Sequence, residues 1–360
     1  MTAVKVGVRA DSPASTSDSG TAQSVPGRTG RHLVRYLAGR LTGRIMLCLA
    51  ATFFAFTLAS LTFDPMAELQ MRQPPPAQAV IDAQAARLAL DLPIPLRFVD
   101  WISGMPVGDF GTTVSGRPIA DELWTRAGTS MRLFFAGSIV AIIAGVAVGV
   151  RSALNSRRIS DHVTMFWTLA LLAIPVFVLG TLLKLLWLPV NEAAGTQILY
   201  FSGERTVGGN YTGWEAVLDR VRHMVLPTLA IALPQIAYFS RYQRAAMLEV
   251  LNSEFLRAAR AKGLRWRQAV RRHALRVALI PMVSLFAFSF GLHIIGGVFT
   301  ERIFGWHGMG DWLLTGIHDH DARIVGIVTL FIGVVIVIAG WVSDIVLVLL
   351  DPRIRAGAEE

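Results

Sequence analysis

Long apolar runs separated by polar segments of very unequal length set the pattern of this chain. A bilayer-crossing helix needs about 20 mostly apolar residues. Six stretches qualify: Ile45–Phe63, Met131–Val150, Val163–Val190, Met224–Ser240, Val277–Thr300 and Ile324–Leu350. The fourth is the shortest and carries Pro227 and Pro234, which predicts a kink there. The polar segment Asp64–Ser130 has 67 residues, too long for a mere connector. It holds a helical-looking piece, Ala77–Leu90, and Trp101, and is expected to fold against one mouth of the bundle. Residues 10–30, rich in Ser, Thr, Gly and Pro, read as disordered. The first apolar run is expected to be an anchor rather than a cleaved leader. A tail of 44 residues precedes it and no small-residue cleavage site follows.

Composition agrees with a membrane setting. The chain is 53% hydrophobic and 16% charged, with mean hydropathy +0.50, against roughly 25% charged residues in soluble domains. Net charge is +9, but the basic residues lie in short segments between apolar runs, which argues against nucleic-acid binding. Cys48, the single cysteine, leaves no disulfide framework and no Cys-based metal site.

The distribution of charge orients the spans. Ten basic residues lie between Arg241 and Arg276, against Glu249 and Glu254 alone. More sit in the N-terminal tail, at Arg151, Arg157 and Arg158, and at Arg353 and Arg355. Asp64–Ser130 instead has five basic and eight acidic residues. Lys and Arg collect on the cytoplasmic side, so both termini are expected there. The expected organisation is a disordered cytoplasmic tail over 1–30, a lead-in and first span over 31–63, and an extracytoplasmic loop domain over 64–130. A core over 131–350 follows, with a cytoplasmic loop at 241–276, and then a tail over 351–360.

That loop has internal order. "FLRAARAKGLRWRQAVRRHALRVALIP", Phe255 to Pro281, holds eight basic residues and no acid. Glu254–Lys262 suits a helix of nine residues, about 14 Å long. Its Ala258, Ala259 and Ala261 favour helix and let another surface approach closely. Gly263 stands where a left-handed residue ends a helix. A second, amphipathic helix then rises from about Trp266 into the fifth span, with Pro281 at its entry. Two readings of these residues stand open: a loop lying on anionic lipid, or a docking knob.

The order Glu254, small residues at 258 and 259, Gly263 and a distal Pro281 resembles the EAA loop of ABC importer permeases. "RAARAKGL" with "HALRVALIP" is similar to the B-type permease subunit of dipeptide and oligopeptide importers. "FDPM", "VGDFGTTVSGRPI", "RHMVLPTLAIALP", "TERIFGWHGMGDWLLTGIHDHD" and "DPRIR" extend the likeness over residues 33–355. The chain departs from that pattern at Phe63, Val277 and His307, where the family usually has Gly, Asn and Pro. It departs again after Asp321, where Ala322 and Arg323 replace the family's Tyr-Pro.

The resemblance implies an all-α polytopic fold, a six-helix type I ABC importer transmembrane domain with a structured external loop, in a bacterial plasma membrane. It implies ATPase coupling through Glu254, Arg257, Ala258, Ala259, Lys262 and Gly263, and an external re-entrant element near the gate involving Trp306, Gly308, Gly310 and Asp321. The implied partners are a homologous C-type permease, one or two ATP-binding cassette subunits, an extracytoplasmic peptide-binding protein, the peptide and membrane lipids. ATP and Mg belong to the partner subunits. Nickel, heme or glycosides are alternative cargoes within the same architecture.

No G-x-x-x-x-G-K-[ST] run occurs, so phosphates are not cradled here by that route. No catalytic residue and no cofactor is expected in this chain. "HDHD", His318–Asp321, would have to serve a membrane-embedded metalloenzyme, but neighbouring loop residues rarely converge on one ion. "NYT" at 210–212 is a short motif that matches by chance. Lys184 and Asp344, near span ends, can snorkel; His293, deeper, reads as a hydrogen-bonded packing residue, with a pathway-lining residue as the alternative. A secondary carrier would need several buried carboxylates, and the spans supply almost none.

Overall fold

The computed structural model describes residues 28–350 apart from 72 and 75. The tail over 1–27, the "DPRIR" segment and the side chain of His293 lie outside the described residues. Fifteen α-helices follow one another. The first is α1, Arg28–Thr62, so residues 28–30, assigned from sequence to the tail, are already helical. Asp64–Ser130 folds as α2 (Ala67–Gln70), α3 (Gln78–Arg87), α4 (Ile94–Gly104) and a 3₁₀ turn, before α5 (Ile119–Leu154) begins. Then come α6 (Ile159–Ala173), α7 (Val176–Ala194) and α8 (Gly213–Leu251). The Arg-rich loop gives α9 (Glu254–Ala261), α10 (Trp266–Ala269), a π turn at Val270–Ala274 and α11 (Leu275–Ala278). The chain ends with α12 (Ile280–Gly296), α13 (Val298–Ile303), α14 (Met309–His318) and α15 (Ala322–Leu350). Among the described residues the only extended pairing is the isolated bridge Thr112–Pro118.

Six helical stretches are long and apolar enough to cross a membrane, in α1, α5, α7, α8, α10–α12 and α15. The third apolar run is not one helix. It breaks between α6 and α7 at Ile174, whose φ −86° and ψ 122° are extended. Pro175 sterically disfavours the helical conformation for the residue before it. By contrast Pro227 and Pro234 remain inside the unbroken 39 residues of α8.

The most extensive helix pair is α5 with α8. Gly137, Ala141, Gly145 and Gly149 recur every fourth residue on α5 and are all buried. Side chains at the three glycines would collide with Ile231, Phe239 and the Ser240–Gln243 stretch of α8. Small residues at this spacing let two helices approach closely where lipid offers no hydrophobic drive between them. α15 packs on α1 and α12. The 36 residues of α5, about 54 Å at 1.5 Å each, separate two ends of the bundle. At its start, Ile119 and Leu123 meet Phe56, Trp101, Trp312 and Ile324. At its finish, Ala153 meets Met247, Leu256 and Val270.

Candidate functional site

The knob forms where α8 stops. Ser253 takes extended geometry (φ −74°, ψ 150°) and α9 starts at Glu254, whose charge favours a helix N-terminus. Of the eight residues of α9 only Leu256 is buried. It packs among Met247, Val250, Ala269 and Ala274, fixing the knob to the ends of α5 and α8. Glu254 pairs with Arg257 at 2.7 Å, but both side chains are mostly exposed, so the pair adds little stability. The Arg260 guanidinium lies 5.4 Å from the Trp266 ring centre. Gly263 closes the turn at φ +91°, a conformation other L-residues rarely adopt. Glu254, Arg257, Ala258, Lys262 and Gly263 are exposed, whereas Ala259 is half-buried. The helix ends at Ala261, one residue short of the expected Lys262.

Beneath the knob, Asp161 of α6 accepts two bonds from Arg244 of α8, at 2.8 and 2.7 Å. Ser152 of α5 donates to the same carboxylate. Three helices are thus tied by one fully hydrogen-bonded ion pair.

At the opposite end of α5, Trp306 and Gly308 lie in the turn between α13 and α14, and Gly310 in the first turn of α14. The group that organises this turn is Glu301, fully buried. Its carboxylate accepts from Ser130 Oγ of α5 at 2.5 Å and from the backbone N–H of Asp311 at 3.0 Å. Ser130 Oγ in turn accepts from the Met309 N–H at 2.7 Å. Together the carboxylate and hydroxyl satisfy the free N–H groups that open α14. A Cβ at Gly308 would strike both Glu301 and Ser130, which explains the glycine. Trp306 and Trp312 bury their rings alongside. Burial pushes the Glu301 carboxyl up to about 7, against the pull of Ser130 and the Asp311 and Gly310 amides. Burial also raises Asp311, but Arg302 and His307 more than offset it and leave it below the usual range.

Asp321, grouped with this turn by the family resemblance, makes different contacts. It accepts from the N–H groups of Val114, Arg323 and Ile324 and caps α15. Its neighbour His320 stacks on Phe63. Among the described residues no three His, Cys, Asp or Glu side chains gather as a metal cluster. Lys184, in α7, reaches α13. It donates to the Ile303 carbonyl and lies 4.8 Å from the Phe304 ring centre. Asp344 pairs with Arg40 and Arg44 of α1 at 3.1 and 3.0 Å. Sequence reasoning missed Glu301 and Ser130. The available signal was an acid in "TER" immediately after an apolar span.

An all-α bundle with six stretches able to cross a bilayer and an exposed knob between two of them defines a multi-pass membrane protein. Residues 131–356 match the family described as binding-protein-dependent transport system inner membrane component, and the chain belongs to it. It is similar to the oligopeptide transport system permease protein OppB of Mycobacterium tuberculosis, at 46% identity over 90% of this chain and 99% of the relative. It is 31% identical to the di/tripeptide transport system permease protein DppB of Pseudomonas aeruginosa, over 90% and 99%. It is 28% identical to the oligopeptide transport system permease protein AppB of Bacillus subtilis, over 90% and 100%.

Proposed function

We propose that this chain is one of two transmembrane subunits of an ATP-driven peptide importer in a bacterial plasma membrane, with both termini cytoplasmic. The observation that carries the reading is the knob: a rigid eight-residue helix anchored by Leu256, exposed elsewhere and closed by Gly263. The transport names of the relatives support peptide cargo over nickel, heme or glycosides. A homologous C-type permease completes the path, ATPase subunits receive the knob, and a peptide-binding protein delivers cargo at the other face. Glu254, Arg257, Ala258, Ala259, Lys262 and Gly263 form the ATPase contact, Ala259 at its edge because it is half-buried. ATP and Mg act in the partners, and this chain catalyses no covalent step.

The mechanics follow from the packing. Closure of the ATPases pulls α9. Leu256 passes the pull to the ends of α5 and α8, and close packing of those helices makes them turn together. Trp306, Gly308 and Gly310 lie at the far end of α5 and move with it at the outer gate. Ala259→Trp and Gly263→Pro test the assignment in the intact complex. The expected result is loss of ATPase association and of ATP-driven uptake; persistence of both refutes it.

A further inference from the structure

A cavity of about 100 Å³ lies where the end of α1, the turn after α3, α4 and the start of α15 meet. That is room for about three waters, or one small oxyanion. Two donors in its wall, Arg97 Nε and Ser60 Oγ, are buried without a hydrogen-bond partner. Arg97 is otherwise placed only over the Phe56 ring, 5.9 Å from its centre. A second guanidinium, Arg323, forms the facing wall and is held by the carbonyls of Thr112 at 3.1 Å and Arg87 at 3.4 Å. Arg87 also stands close enough to act on Arg323. Against these three positive charges stand Asp100 and Asp321. Both Asp321 oxygens are already taken by backbone N–H groups. The locality therefore carries one net positive charge, three against two, with Arg97 unpaired.

Two further features converge here. Ala89 and His320 line the cavity, both at φ +52°. Such conformations persist in non-glycine residues only where the surroundings enforce them, and they cluster at ligand sites. In addition α4 is two-faced. Phe98 and Trp101 are buried, while Leu96 is 57% and Val99 60% exposed; Leu58 and Leu61 of α1 are exposed at the same end. A helix with one apolar face left outside a membrane bundle lies in the bilayer interface, which sets Arg97 at headgroup depth.

We propose that this cavity binds the phosphate of a phospholipid headgroup, gripped by Arg97 and Ser60, with the lipid's acyl chains against the exposed apolar residues of α1 and α4. Water would satisfy the two donors but would not neutralise the surplus charge. A guanidinium fork offers parallel donors to a phosphate at low cost in lost hydration. The net charge favours an anionic lipid over a zwitterionic one.

The test uses the intact transporter extracted from vesicles of mixed phosphatidylglycerol and phosphatidylcholine, with retained lipid counted by native mass spectrometry. Wild type is expected to keep phosphatidylglycerol preferentially. Arg97→Gln and Ser60→Ala each reduce that retention, the former about fivefold, one basic residue's attraction to an anionic lipid. Exposed Arg117→Gln serves as a control and leaves it unchanged. Ser60→Ala keeps the test open if Arg97→Gln fails to assemble. Excess inorganic phosphate displacing the lipid supports recognition through the phosphate. Equal retention by wild type and both variants overturns the proposal, as does equal retention of the two lipids. Phosphate that protects the complex against heat while no phosphatidylglycerol is kept overturns the lipid assignment in favour of a free anion.

Discussion

At one end of α5 a short helix keeps Leu256 inside and turns nearly every other residue to solvent. At the other end Glu301 and Ser130 are buried, bonded to each other and to backbone amides of α14, with the buried rings of Trp306 and Trp312 beside them. The knob leaves its charged side chains open to water, its one ion pair included. The turn at α14 commits its carboxylate and hydroxyl internally and holds a shape. Substitutions should therefore damage stability at one end and coupling at the other, with Leu256 the exception at the knob.

That contrast can be broken in order of size. Leu256→Ala should cost the most, about 2–5 kcal/mol, because it empties a buried position at the root of the knob. Thermal inactivation of the purified permease measures it. Uptake should fall with it, whereas an uptake loss without any loss of stability would contradict the anchoring role.

Glu301 gives the next effect, about 3 kcal/mol, through pH. Its carboxyl sits near 7 when folded against an ordinary 4.5. Between those values the folded protein holds a proton that the unfolded chain has released. The stabilisation is complete below pH 4.5, declines as pH rises, and is gone above about 7. Glu301→Gln should flatten that segment of the stability profile. An unchanged slope in the variant would place the titration elsewhere.

Gly308→Ala should cost about 1–3 kcal/mol, since its methyl enters the space of Glu301 and Ser130. Gly308→Ala combined with Ser130→Ala should recover part of that loss, which thermal inactivation can read. The smallest stability change belongs to Arg257→Ala, within about 0.5 kcal/mol, because its pair with Glu254 is open to water. ATPase co-purification should nevertheless drop. Full retention would remove Arg257 from the contact.

Much of the architecture was legible beforehand, and the failures are local. Five of the six apolar runs became spans at the expected places, and α9, its glycine stop and the following helix appeared as the residue pattern requires. The third run failed because Pro175 interrupts it, while Pro227 and Pro234 do not interrupt α8. Proline alone could not distinguish these cases. α8 lies packed along α5, and those contacts maintain the helix through both prolines. The partners of Lys184 and Asp344 were illegible for a related reason: each lies more than 100 residues away, at Ile303 and on α1.

Hydropathy, charge placement and the Glu254–Gly263 spacing are properties of neighbouring residues, so the chain alone determined the number of spans, their basic side and the knob. The joining of Glu301 to Ser130, of Asp161 to Arg244 and of Arg97 to the wall of a cavity was decided only by tertiary structure. A polar group removed from water must find its partner in space, and that partner's distance along the chain carries no local signature.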